Sequence, residues 1–189
     1  MSALRYLLVL LVCGVGACED DDANGNRYTA SFGLMNGEPW EAQTWAAPFE
    51  VCGITQVAFE VYNANGLQAQ GLSLSVYEVL GPGEHVLYER AFNDLTALNC
   101  ARYPDTATAS LATTDGDLVT ARYDLAPQLG PCTVRIDSVD EARTYIAGEL
   151  EAHFVVRGNR DRSGFALQLP DTVHFAELEF AVRVGSGPP

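Results

Sequence analysis

Asn159, Asp161 and Ser163 place three oxygen-bearing side chains at alternate positions ahead of Gly164, the spacing of the first half of a calcium loop. The twelfth position of such a loop needs a bidentate acid and is Pro170 here, while Arg160 and Arg162 dilute the local negative charge. The stretch is expected to be a turn-forming loop that binds no metal. His85, His153 and His174 are scattered along the chain. His153 falls on the polar face of an alternating segment and His174 at the head of an apolar series, so each reads as structural. Glu149 and Glu151 share one strand face, as a solvated acidic surface has it. A glycosidase needs two carboxylates at a defined separation across a cleft, a geometry that sequence does not display. No serine sits in a Gly-x-Ser-x-Gly elbow. All eleven basic residues are Arg, so a Schiff-base lysine and a phosphate-binding P-loop are both excluded. The chemistry-bearing residues therefore point to a non-catalytic protein without a cofactor.

The N-terminus carries a different kind of signal. Arg5 precedes an apolar run, Leu7 to Val12, and Gly14, Gly16 and Ala17 lead up to Cys18, the outline of a signal peptide. The run is far short of the ~20 residues that span a bilayer as a helix. Val15-Gly16-Ala17-Cys18 resembles the bacterial lipoprotein processing box. The resemblance implies that residues 1–17 are removed and that Cys18 becomes the acylated, palmitate-bearing first residue; Cys13, preceded by the bulky Val12, suits processing less well. Acyl chains gain ~0.8 kcal/mol per buried methylene, so two or more hold a protein at a membrane stably. Residues 18–26, with the run Glu19-Asp20-Asp21-Asp22, are polar and free of aromatics, a disordered tether with a reach of roughly 25 Å. An acidic run after the cysteine resembles export signals that send lipoproteins to the outer membrane or cell surface.

Composition bounds the remainder. Residues 27–184 are long enough for one domain and too short for two, with 185–189 as a frayed tail. The formal net charge of −14 disfavours nucleic acid, which needs a basic face, and suits a solvated, self-repelling surface. Cys52, Cys100 and Cys132 lie in a compartment where thiols pair. Their odd number allows one bridge. Cys100 to Cys132 is preferred because Cys100 lies in the longest loop and Cys132 at a strand entrance, with Cys52 as the alternative partner.

From Arg27 onward, apolar and polar residues alternate over short runs separated by turn signals. Tyr28, Ala30, Phe32 and Leu34 form one face before Asn36-Gly37, a strong hairpin signal. Val57, Phe59 and Val61 form another, then Leu72, Leu74 and Val76. Asp115-Gly116 marks a second hairpin. Ile146, Gly148, Leu150, Ala152, Phe154 and Val156 line one face of a long half-buried strand. A strict period of two puts His174, Ala176, Leu178, Phe180, Val182 and Val184 on one face of the last. The fold expected is all-β, an antiparallel β-sandwich or partly closed barrel of about ten short strands. Trp40, Phe59, Leu150, Phe154 and Phe180 are its expected core.

Several of these segments together resemble an uncharacterised family of bacterial cell-envelope lipoproteins. They are Met35-Asn36-Gly37-Glu38-Pro39-Trp40, Leu72-Ser73-Leu74-Ser75-Val76, Gly81-Pro82-Gly83-Glu84-His85-Val86-Leu87, Ile146-Ala147-Gly148-Glu149-Leu150 and the closing strand Phe175 to Val184. The resemblance spans residues 28–184, implies the anchor and the β fold, and carries no activity or catalytic residues. The expected function is that of a membrane-anchored envelope protein with a structural or interaction role, its partner a protein or a glycan. The alternative is a carbohydrate-type binding module in which Trp45, Tyr62, Tyr77 or Tyr88 offers a flat apolar platform.

Overall fold

The computed structural model describes residues 29–49, 53–77, 80–88, 107–115, 118–140, 142, 144–157 and 169–185. Cys18 and its tether, Cys52, Cys100 and the Asn159, Asp161, Ser163 loop lie outside them. The described residues form ten strands: β1 (Thr29–Met35), β2 (Glu38–Phe49), β3 (Ile54–Tyr62), β4 (Gln68–Tyr77), β5 (Gly83–Tyr88), β6 (Ala107–Asp115), β7 (Leu118–Leu125), β8 (Thr133–Val139), β9 (Tyr145–Val156) and β10 (Thr172–Arg183). Among the described residues there is no helix, hence none long and apolar enough to cross a membrane.

Turn chemistry sets the hairpins. Asn36 (φ 54°) and Gly37 (φ 82°) supply the two positive-φ positions that let β1 and β2 pair with matching twist. Between β3 and β4, the Asn63 side chain accepts the N–H groups of Asn65 and Leu67. Between β8 and β9, the Asp140 carboxylate accepts the Thr144 hydroxyl and the Tyr145 N–H.

The strands form one sheet that closes in a ring without being a regular barrel. The order β10-β1-β2-β3-β4-β6 continues through β5 and β8 to β9, which pairs with β10. β7 bridges β6 to β9 directly. Both β6 and β9 therefore fork. β6 pairs with β5 at Ala107 and Thr108, in parallel, and with β7 from Leu111 to Asp115. β9 pairs with β8 from Ile146 to Glu151 and with β7 from Phe154 to Val156.

Among the described residues the ring encloses one apolar core. Phe59, Phe154, Phe175, Leu72, Leu74 and Leu150 are fully buried, and Trp40 and Phe180 nearly so. Trp40 meets Phe175 edge to face at 5.0 Å between ring centroids, and Phe59 meets Phe180 at 5.8 Å. The Trp40 Nε1–H donates to Gln70 Oε1 at 3.4 Å, so the indole enters the core with its polar atom partnered.

Two strands depart from the alternation expected of them. In β1 it is Ser31 that points inward, bonded to Thr44 Oγ1 at 2.7 Å, while Phe32 is exposed; two hydroxyls that satisfy each other can be buried at little cost. In β10 a bulge shifts the phase: Phe175 pairs with Ala152 but Leu178 with Leu150, so Ala176 and Glu177 both oppose Glu151. Glu177 takes φ 52° there. On the other side the bulge meets Gly33, where any Cβ would come within 2.7 Å of Leu178 Cα. Val173 and Phe175 therefore face the core together with Leu178, Phe180 and Val182, and His174 is turned away from it.

Candidate functional site

The bulge brings together residues that stand apart in the sequence. His174 lies directly opposite His153 across the β9–β10 ladder, and Glu151, two residues before His153, shares its face. The two imidazoles stack, with centroids 3.9 Å apart and planes within 2°. Glu151 Oε1 stands 3.6 Å from His174 Nε2. That nitrogen is shielded from solvent and has no hydrogen-bond partner among the described residues. The potential ligand atoms of Glu151, His153 and His174 all lie within 4.8 Å of one another.

Neighbouring backbone fixes both histidines. The Asn36 turn holds His174 through two hydrogen bonds, one in each direction. His153 sits where β9 passes from β8 to β7 and its ladder is interrupted. There the Ala126 N–H donates to the His153 carbonyl at 2.7 Å, and the His153 N–H donates to Cys132 Sγ at 3.4 Å. Gly130 packs on the ring itself: a Cβ at that position would fall 2.3 Å from His153 Nε2. Burial, reinforced by the neighbouring His174 and opposed by Glu151, lowers the His153 pKa below the ordinary imidazole value.

Cys132 is a free, buried thiol, where a bridge to Cys100 was expected. Its sulfur faces the His153 backbone and fills the gap in the ladder. Burial pushes its pKa up, which suits an inert structural thiol. His85 keeps its structural reading, with Nε2–H donating to the Gly81 carbonyl at 2.9 Å. Its strand, β5, is separate from the histidine pair.

A second feature lies on the outer face of β2, β3, β4, β6 and β7. Trp45, Ala58, Ser73 and Ser110 stand side by side in one row of the ladder. In the next row are Glu60, Gly71, Ala112 and Arg122. The small side chains in the middle leave a groove of about 250 Å³. Trp45 stands at one side of it and Arg122, Asp124 and Arg157 at the other. From β2 to β7 the groove crosses four strand spacings, about 19 Å. Trp45 is half-buried, and its Nε1–H is enclosed without a hydrogen-bond partner among the described residues. Glu60 is fixed by the Tyr62 hydroxyl at 2.5 Å, and Asp124 by Arg157 Nε at 2.8 Å.

Of the other aromatics expected as platforms, Tyr77 is buried, whereas Tyr62 and Tyr88 are exposed. Sequence reasoning missed the histidine cluster, whose one available signal was the consecutive Ala176-Glu177 that interrupts the alternation of β10. Compared with family models, curated proteins and solved structures, the chain matches none.

Proposed function

We propose that the protein is a non-catalytic binding module, anchored to the bacterial cell envelope through an acylated Cys18, whose outer groove takes a carbohydrate-type ligand. The observation that carries this reading is Trp45. Its indole borders a floor of Ala58, Gly71, Ser73, Ser110 and Ala112 that is low enough for a flat ring to approach, and its N–H is desolvated with no acceptor among the described residues. A buried donor left without a partner calls for one, and a sugar offers both apolar C–H faces and hydroxyl acceptors. Arg122, Asp124 and Gln68 around the groove add donors and acceptors for a polyhydroxylated ligand. Among the described residues no histidine or cysteine lines the groove, and Glu60 and Asp124 are each hydrogen-bonded to a neighbouring side chain. Anchoring is supported by Val15-Gly16-Ala17-Cys18 and the acidic tether behind it.

The test is a glycan array probed with the full-length protein in detergent, followed by titration of any ligand found. Trp45→Ala should abolish binding and leave the melting temperature close to wild type. Glycan binding unaffected by Trp45→Ala, or no glycan bound at all, would overturn the groove reading. Cys18→Ala should move the protein from the membrane to the soluble envelope fraction. Persistence on membranes, with no lipid on the wild type by mass spectrometry, would overturn the anchor.

A further inference from the structure

We infer that Glu151, His153 and His174 form a binding site for a divalent transition-metal ion of the zinc class, on the outer face of β9 and β10 and separate from the groove. Two imidazoles and a carboxylate are a donor set that suits zinc, copper or nickel and not calcium or magnesium, which take oxygen. Two ligand atoms sharing a tetrahedral zinc at ~2.0–2.1 Å each stand about 3.3–3.4 Å apart. The 3.6 Å between Glu151 Oε1 and His174 Nε2 is long for a hydrogen bond and close to that separation. The enclosed His174 Nε2 has no other partner among the described residues, and a buried polar atom in that position calls for a ligand.

The surroundings fit the assignment. Gly130 packs directly against the His153 ring, where a Cβ would fall 2.3 Å from Nε2, so the backbone there leaves the ring its place on this face. Asn36 and Cys132 accept the backbone N–H groups of the two residues that carry the rings. Joint coordination requires the parallel rings to open about their χ angles. His174, with 35 % of its side chain accessible, has room to do so. Three protein ligands leave a fourth position for water. The net charge of −14 concentrates cations around the molecule.

Tag-free full-length protein in detergent, titrated with zinc chloride by calorimetry, should take up one Zn²⁺ per chain at micromolar affinity or tighter. Calcium chloride should give no saturable binding. Glu151→Gln and His174→Gln should each weaken zinc by about tenfold or more, since even outer-shell partners are worth that much; His85→Gln should leave it unchanged. Copper(II) bound to the unaltered protein should show two nitrogen ligands by electron paramagnetic resonance, a readout independent of how well any variant folds. The assignment is overturned by zinc uptake that survives His153→Gln/His174→Gln, by calcium binding as tight as zinc, by a copper spectrum without nitrogen ligands, or by a wild type that never saturates with zinc.

Discussion

Asn36 holds both backbone polar groups of His174: its own N–H donates to the His174 carbonyl at 2.8 Å, and its side-chain Oδ1 accepts the His174 N–H at 2.8 Å. The residue that turns β1 into β2 thus also fixes the start of β10. Asn36→Ala removes the Oδ1 acceptor and leaves φ 54° to a residue without the polar side chain that makes this conformation tolerable, together a loss of about 2 kcal/mol. Asn36→Asp keeps an acceptor and a residue that tolerates this conformation, and should stay within about 0.5 kcal/mol of wild type. Urea denaturation of the three proteins checks the order. Equal stability of all three would show that the clamp contributes nothing.

Trp40 and Trp45 lie on the same strand and should behave oppositely. Trp40 is 8 % exposed and packs on Phe175, so Trp40→Ala should cost roughly 3–5 kcal/mol, a large part of a domain's stability. In a Trp45→Phe background the remaining emission should be blue-shifted. Red-shifted emission, or a melting temperature indifferent to Trp40→Ala, would contradict the placement.

Gly148 pairs with Ile136 in the β8–β9 ladder, next to its register shift. A Cβ there would stand 2.1 Å from the Arg135 carbonyl oxygen and 3.0 Å from Phe180, and a ladder carbonyl cannot swing aside. Gly148→Ala should therefore destabilise by about 3 kcal/mol, the upper range for overpacking. Gly81→Ala, which meets nothing within 4 Å, should stay within about 0.5 kcal/mol. Comparable melting temperatures for both variants would refute the contact.

Asp140 sets a pH dependence. The Thr144 hydroxyl, helped by backbone N–H groups including that of Tyr145, holds its carboxyl below the ordinary value of 3.8. The unfolded chain then takes up this proton more readily than the native one. The stabilisation is thus present above about pH 4 and lost as pH falls through the lower native value. Asp140→Asn should melt below wild type at about pH 6 and converge with it under strong acid. A melting gap that stays constant across that range would remove Asp140 as its source.

The strands with one wet face were legible from residues alone. Ile146 to Phe154 alternates without interruption, and Asn36-Gly37 fixes its turn by conformational need. The phase of β10 was not, because period two carried back from Val182 crosses the bulge at Ala176-Glu177 and flips His174 to the wrong face. In β1 the apolar Phe32 is outside and Ser31 inside, since Thr44, thirteen residues away, supplies the hydroxyl that makes burial affordable. The meeting of His153 and His174 depends on which strands pair and in what register. That is a property of the closed ring and of no segment by itself. The same holds for Cys132, whose sulfur completes an interrupted ladder at a fork that exists only once β7 and β8 have both docked on β9.

β1 lies between β10 and β2, paired antiparallel to both, with Thr29 at the end away from the Asn36 turn. A pull on Thr29 directed along the β1 axis loads the hydrogen bonds on both flanks together. Bonds sheared in parallel share the force, whereas bonds peeled from a hairpin end fail one at a time. A force so directed meets the fold in its mechanically stiff direction.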